Sequence, residues 1–308
     1  MSFSEKYHPI MLKISAIVCT FNRSALLRQA LQSLVEQTLG KEYYEVLVID
    51  NASTDNTKAV IKEFLRYKNF RYIYEPKQGL SHSRNTGYKN AEGVYVTYLD
   101  DDARASADWL ERIVATFETV KPETVAVGGK ILPWYEQAPP SWFVDDYETF
   151  AYGPEKGFIQ SQYGFGGSNM TFRKAILELY GGFPIEFGMC GGKMGFGDET
   201  LLFREIYKQH PWFWYDPEIT VEHWVPKHKM TIRYRLKRSY STGITAAKSG
   251  AEYVEHSIIK TVLYIVKDSI SLLFSVKWRE KNWQRAFIER AQPIAHYAGA
   301  LRVLMGNF

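Results

Sequence analysis

The stretch Val94-Tyr95-Val96-Thr97-Tyr98-Leu99-Asp100-Asp101-Asp102 joins a short apolar run to three consecutive carboxylates. The run reads as a buried strand of a sheet covered on both faces. Three carboxylates in one turn repel each other unless a cation neutralises them, and hard divalent ions such as Mg²⁺ or Mn²⁺ prefer oxygen ligands. A solvated acidic turn ahead of a helix is the plainer alternative. Ligands of open α/β sheets bind beyond the carboxyl ends of the strands, where this triplet stands.

The flanking sequence repeats the pattern of strand, polar loop and helix. Residues 14–19 (ISAIVC) read as a first strand, followed by a helix from Ser24 with Leu26, Leu27, Ala30, Leu31, Leu34 and Val35 at helical spacing. Residues 45–49 (EVLVI) read as a second strand, then a helix carrying Val60, Ile61, Phe64 and Leu65. A third strand over Phe70–Tyr74, a polar helix over 81–90 and a helix over 107–120 complete the series. This alternation predicts βαβ units and a mainly parallel sheet. Three loops then share one edge: Thr20-Phe21-Asn22-Arg23, Asp50 to Asp55, and Asp100 to Asp102. One ligand can touch all three.

After Ile131 the chain turns to Pro, Trp, Tyr and Gly, including Gly164-Phe165-Gly166-Gly167-Ser168-Asn169. A helix over Asp198–Tyr207 and two short strands, over 212–215 and 219–221, follow. Gly197-Asp198-Glu199-Thr200 is either a helix cap with first-turn acids or a general-base pair. Arg23 and Arg84 are either solvated or paired with phosphate. His223 is either a packing residue or, given its company, a metal ligand. Trp134, Trp142, Tyr147, Tyr152 and Phe165 are either core or a stacking surface for a ligand.

With 308 residues, 45% hydrophobic and 23% charged, the chain can bury a full core. Its net charge of +4 hides an asymmetry, because residues 227–308 hold 15 Lys/Arg against 5 Asp/Glu. Arg233, Arg235, Lys237 and Arg238, then Lys277, Arg279 and Lys281 beside Trp278 and Trp283, suit an anionic membrane surface. A solvated face or a homo-oligomer contact is the alternative. The apolar run 261–276 contains Lys267 and Asp268 and falls short of the ~20 residues that span a bilayer. Two cysteines, Cys19 and Cys190, and a polar start with Glu5, Lys6 and His8 predict a cytoplasmic chain, peripheral on the inner face of the plasma membrane if the tail binds lipid. No Gly-x-Gly-x-x-Gly follows the first strand, and neither a P-loop nor a Gly-x-Ser-x-Gly elbow occurs. No nucleic-acid partner is expected.

Taken in order, Cys19-Thr20-Phe21-Asn22-Arg23, Val48 to Asp55, Ser83-Arg84-Asn85, Leu99 to Asp102, Gly166 to Met170 and Gly197 to Thr200 resemble the motifs of a family 2 glycosyltransferase of the GT-A fold. The resemblance covers about residues 12–225. It implies a Rossmann-like, mainly parallel sheet with a mixed acceptor-side half and a helical C-terminal extension. The catalytic domain would be 1–226, split near 131 into nucleotide and acceptor halves, with 227–308 as the extension.

The resemblance also implies inverting transfer from a nucleoside-diphosphate sugar, with uridine as the base by analogy, to a saccharide or lipid-linked acceptor in glycan synthesis. Thr20, Phe21, Asn22, Arg23, Asp50, Asn51, Ser53, Arg84, Asn85, Asp100 and Asp101 would bind donor. Asp100, Asp102 and His223 would hold Mn²⁺ or Mg²⁺. Gly167, Ser168 and Asn169, with Trp134 and Trp142, would face acceptor. The family usually has Glu-Asp where this chain has Asp198-Glu199, so position favours Glu199 as base and residue type favours Asp198. A sugar-phosphate nucleotidyltransferase and a non-catalytic nucleotide-sugar or glycan-binding module are the competing functions.

Overall fold

In β1 (Ile14–Thr20) successive side chains enter opposite cores, which is why the strand is mostly apolar and not alternating. Ile14, Ala16 and Val18 join one cluster, and Ile17 joins the other. The same alternation in β2 (Tyr44–Asp50) sends Val46 and Val48 one way, Leu47 and Ile49 the other. The computed structural model describes residues 11–186, 197–248, 257–276 and 282–306. Cys190, Lys277, Trp278, Arg279, Lys281 and the polar start through His8 lie outside the described residues.

Helix α1 (Ser24–Val35) follows β1, and α2 (Thr57–Phe64) follows β2. Then come β3 (Phe70–Tyr74), α3 (Leu80–Asn90), β4 (Tyr95–Asp100), the three-residue β5 (Ala103–Ala105) and α4 (Trp109–Thr119). β1 pairs in parallel with β2 and β4, and β2 with β3. The register sets Thr20 beside Asp50 and Cys19 beside Asp100. The three predicted loops therefore leave the sheet at one edge. Helices α1, α2 and α4 cover one face.

The second half is built from β6 (Ala126–Tyr135), β7 (Gly157–Phe158), β8 (Met170–Arg173), α5 (Lys174–Tyr180), α6 (Asp198–Tyr207) and β9 (Phe213–Val225). The nine-stranded sheet runs β3-β2-β1-β4-β8-β6-β9-β5, with β7 on β9. β8 is antiparallel to β4 and β6, so the sheet is mixed on this side.

The two short strands expected over 212–221 are one strand of 13 residues. The sequence signal broke at Asp216-Pro217 because proline cannot donate to a ladder. The protein absorbs the break as a bulge where the β6–β9 register shifts between Gly129 and Lys130.

The chain ends in α7 (Ile232–Lys248), α8 (Ile258–Ser275) and α9 (Trp283–Leu304). Ile288 of α9 is buried with Trp142, Phe143, Val225 and Met230, which anchors these helices to the sheet half. α7 and α9 cross backbone to backbone at glycines. A Cβ on Gly243 would lie 1.9 Å from the His296 carbonyl oxygen, and one on Gly299 would lie 2.0 Å from that of Tyr240. A helix-interior Gly→Ala change ordinarily gains about 1 kcal/mol. Gly243→Ala is expected to reverse that sign and destabilise by about 1–3 kcal/mol, read from chemical denaturation, because the carbonyl has no room to retreat.

Candidate active site

The first two loops are stitched into one shelf. Asn22, at φ 54°, accepts hydrogen bonds on Oδ1 from the Thr54 and Asp55 amides at 2.7 and 3.2 Å. Its own amide donates to Ser53 Oγ at 3.0 Å. Asp50 Oδ1 accepts from the Ser53 amide and Oδ2 from the Tyr72 hydroxyl, at 3.0 and 3.1 Å. Asp55 accepts from the Ser24 amide and so caps α1. Asn51 faces inward: Nδ2 donates to the Glu75 and Lys77 carbonyls and Oδ1 accepts from the Gly79 amide, fixing the approach to α3. Thr20 Oγ1 is buried with no hydrogen-bond partner among the described residues. Phe21 is half-buried beside it.

At the end of β4, Asp101 and Asp102 are buried while Asp100 is a third exposed. Arg23 reaches in with Nη1 at 3.1 Å from Asp101 and 2.5 Å from Asp102. β5 pairs Ala103 with His223 of β9, and the Trp224 amide donates to the Asp102 carbonyl at 2.8 Å. That pairing sets His223 Nε2 3.2 Å from Asp102 and 3.7 Å from Asp100.

Charge then settles unevenly. Burial, reinforced by Asp102, pushes the Asp101 carboxyl up to about 7 against the pull of Arg23. Burial works against the charge on Asp102 as well, but the hydrogen bond and charge of His223, with Arg23, hold it below the usual carboxylate range. For His223, burial opposes protonation and Asp102 overcomes it, raising the imidazole above its ordinary value. One oxygen each of Asp100 and Asp102 and one nitrogen of His223 lie within 4.8 Å of one another. Two carboxylates and an imidazole so placed suit a divalent cation.

The second acidic group opens α6. Asp198 is fully buried and its Oδ2 accepts from Ser81 Oγ at 3.0 Å and Arg84 Nη1 at 2.9 Å. Glu199 Oε2 is 3.3 Å from the same nitrogen, and its side chain keeps a quarter of its surface open. Burial disfavours the Asp198 anion, but Arg84 and Ser81 outweigh it and hold the carboxyl low. Burial and then the Asp198 charge push Glu199 up to about 8. Desolvation raises the Cys19 thiol at the end of β1, and the charges acting on it are those of Arg84, Asp100, Asp101 and Asp198. The two acidic groups share one neighbourhood.

Several expected ligand contacts are used by the protein itself. Arg84, expected at the diphosphate, is buried over the Phe183 ring and turned to Asp198 and Glu199. Gly167 lies so close that a Cβ there would be 2.4 Å from Arg84 Nη2. Asn85 exchanges both ends of its amide with the Phe183 backbone at 2.8 Å. Ser168 is buried, and Trp142 packs on Phe143. Trp134 stands edge-on to Trp224, with the Arg104 guanidinium 3.7 Å from its ring centre.

Asn169 fills the β6–β9 bulge. Its Nδ2 donates to the Lys130 and Ile219 carbonyls at 3.1 and 2.9 Å, and its Oδ1 accepts from Trp109 Nε1 at 2.9 Å. Three residues beside these groups were absent from the sequence reading: Tyr72 on Asp50, Ser81 on Asp198, and Lys229. Lys229 Nζ is 3.5 Å from the Trp224 carbonyl, and burial lowers its pKa against the opposing pull of Asp102 and Glu148. Its only sequence signal is a basic Lys-x-Lys just after the histidine strand.

The model of the family described as glycosyl transferase family 2 matches residues 15–181. A glucosyl-dolichyl phosphate glucuronosyltransferase of Haloferax volcanii is 26% identical over 242 residues, 75% of each chain. The succinoglycan biosynthesis protein ExoM of Rhizobium meliloti is 28% identical over 246 residues, 78% of this chain and 76% of that one. Among solved structures, the mannosyltransferase PcManGT of Pyrobaculum calidifontis, in complex with GDP-Man and Mn²⁺, superposes with a TM-score of 0.63 over 94% of this chain and 87% of its own, at 18% identity.

Asn169→Ala leaves three partners unsatisfied, two of them in buried hydrogen bonds, and is expected to cost about 3 kcal/mol or more in denaturant titration. Loss of acceptor affinity at unchanged stability would instead place Asn169 at the ligand.

Proposed function

Since the chain belongs to glycosyl transferase family 2, and is thus a glycosyltransferase, we propose that it transfers a sugar from a nucleoside diphosphate to the hydroxyl of a saccharide or lipid-linked saccharide, with inversion. The observation that carries this reading is the convergence of Asp100, Asp102 and His223 at the sheet edge, with Asp100, Asp198 and Glu199 all acting on the charge of Arg84. Relatives named for a dolichyl phosphate sugar and for succinoglycan support acceptors of both kinds. Asp100, Asp102 and His223 would hold Mn²⁺ or Mg²⁺, which supplies positive charge against the diphosphate of the donor. The Asp50 to Ser53 shelf and the Thr20 to Arg23 loop receive the nucleoside, uridine by analogy with the family. Arg23, already charge-paired to Asp101 and Asp102, keeps the triplet folded before donor arrives.

Glu199 is the base. It is the member of the pair open to solvent, and its affinity for a proton is raised toward that of a group working near neutrality. Asp198 is spent on Ser81 and Arg84, and its fixed negative charge is part of what raises Glu199. Glu199 takes the proton of the acceptor hydroxyl as the oxygen attacks the anomeric carbon opposite the diphosphate. An axial donor then yields an equatorial product.

The active form of Glu199 is the carboxylate, so catalysis gains as pH rises. log kcat/KM is expected to climb with unit slope below about pH 8 and level off above it. Glu199→Gln should lower kcat by about 10²–10⁴-fold, flatten that limb and leave donor affinity unchanged. Wild-type turnover in the variant would remove Glu199 from the role and return it to Asp198.

A further inference from the structure

Helix α8 carries more apolar surface than the protein covers. Ile258, Ile259, Val262, Leu263, Val266, Ile270, Leu273 and Phe274 are all exposed, Leu273 and Phe274 at 72% and 86%. At 3.6 residues per turn these eight side chains fall within one arc of about 160°. The opposite side of α8 meets α9, where Tyr264 stacks on Tyr297 at 5.3 Å and Ser271 Oγ lies 3.5 Å from Arg290 Nη1. A helix apolar on both sides is one whose second side is covered by something outside the fold. Among the described residues no helix is long and apolar enough to cross a membrane.

We propose that this face of α8 lies in the surface of an anionic phospholipid bilayer, parallel to its plane. The charge at the rim selects that occupant. Lys260 and Lys267 are exposed along one edge of the arc, and no acidic side chain stands within it. Asp268, the acid of α8, is half-buried on the α9 side, among the charges acting on Tyr297. Residues 227–308 as a whole are strongly basic. Anionic headgroups complement such a rim while acyl chains take the apolar face. A second copy of this chain would set its own lysine rim against another of like charge. The close α7–α9 crossing and the burial of Ile288 tie α8, through α9, to the catalytic half. In purpose this surface rests on the lipid-linked reading of the acceptor, because it would hold the enzyme where such an acceptor resides.

Flotation of the full chain with phosphatidylcholine vesicles, with and without phosphatidylglycerol, tests it without any acceptor. The wild type is expected to float with the phosphatidylglycerol vesicles and to release as salt rises. The triple variant L263S/L273S/F274S should lose about tenfold or more in partitioning, and K260E/K267E should lose the preference for phosphatidylglycerol. Both variants should keep the wild-type melting temperature, since the altered side chains face water. Wild type that stays unfloated, or a triple variant that floats equally well, overturns the proposal. So does sedimentation showing a dimer that the triple variant dissolves while vesicle binding is absent. The acceptor reading is judged separately, by transfer to lipid-linked and water-soluble saccharides in detergent. Its failure there with flotation intact would leave the docking surface standing.

Discussion

Negative charge gathered at one edge of a sheet is the constraint on which this structure turns. Asp100, Asp101, Asp102, Asp198 and Glu199 stand at or near the ends of strands and a helix whose interiors are apolar, so their repulsion is poorly screened. Two guanidiniums and one imidazole answer it. Arg23 and His223 hold the triplet, and Arg84 holds the Asp198-Glu199 pair. The balance is incomplete: proton affinity is raised at Glu199 while Asp102 is kept ionised, the two states that the proposed acceptor activation and cation binding would require.

Fold and charge are coupled through β9. His223 reaches Asp102 only because β5 pairs with β9 directly after the triplet, and β9 reaches that register through the bulge that Asn169 fills. A glycine-rich motif that looks like an acceptor loop thereby also sets the position of a metal-ligand candidate. Gly167 of the same motif admits the Arg84 side chain. Binding and architecture are not separable at these residues.

The parallel half was legible because its strands are buried on both faces and its helices carry one apolar stripe, patterns that local sequence records directly. The helix start at Ser24 and the strand over 70–74 coincide with the elements found, as does the helix over 198–207 in the other half. The mixed half was less legible. β8 has four residues, β5 has three, and β9 continues through Asp216-Pro217, a pair that locally reads as a strand break. The direction of Arg84 was hidden for another reason. Its partners, Asp198 and Glu199, are distant in sequence, and an arginine in a polar helix reads the same whether it faces a ligand or an acidic pair. Which of the two carboxyls Ser81 and Arg84 occupy was equally closed to sequence, because these partners lie more than a hundred residues from Asp198. Family membership sets aside the nucleotidyltransferase and binding-module alternatives.

The central claim is that Asp100, Asp102 and His223 bind a divalent cation together with a nucleoside-diphosphate sugar. Calorimetric titration of UDP- and GDP-sugars, with Mn²⁺ and then with chelator, addresses it most directly. The account predicts donor binding that requires the cation and is lost in Asp102→Asn at retained fold. Donor binding of equal strength without a divalent ion, or undiminished in Asp102→Asn, would contradict it.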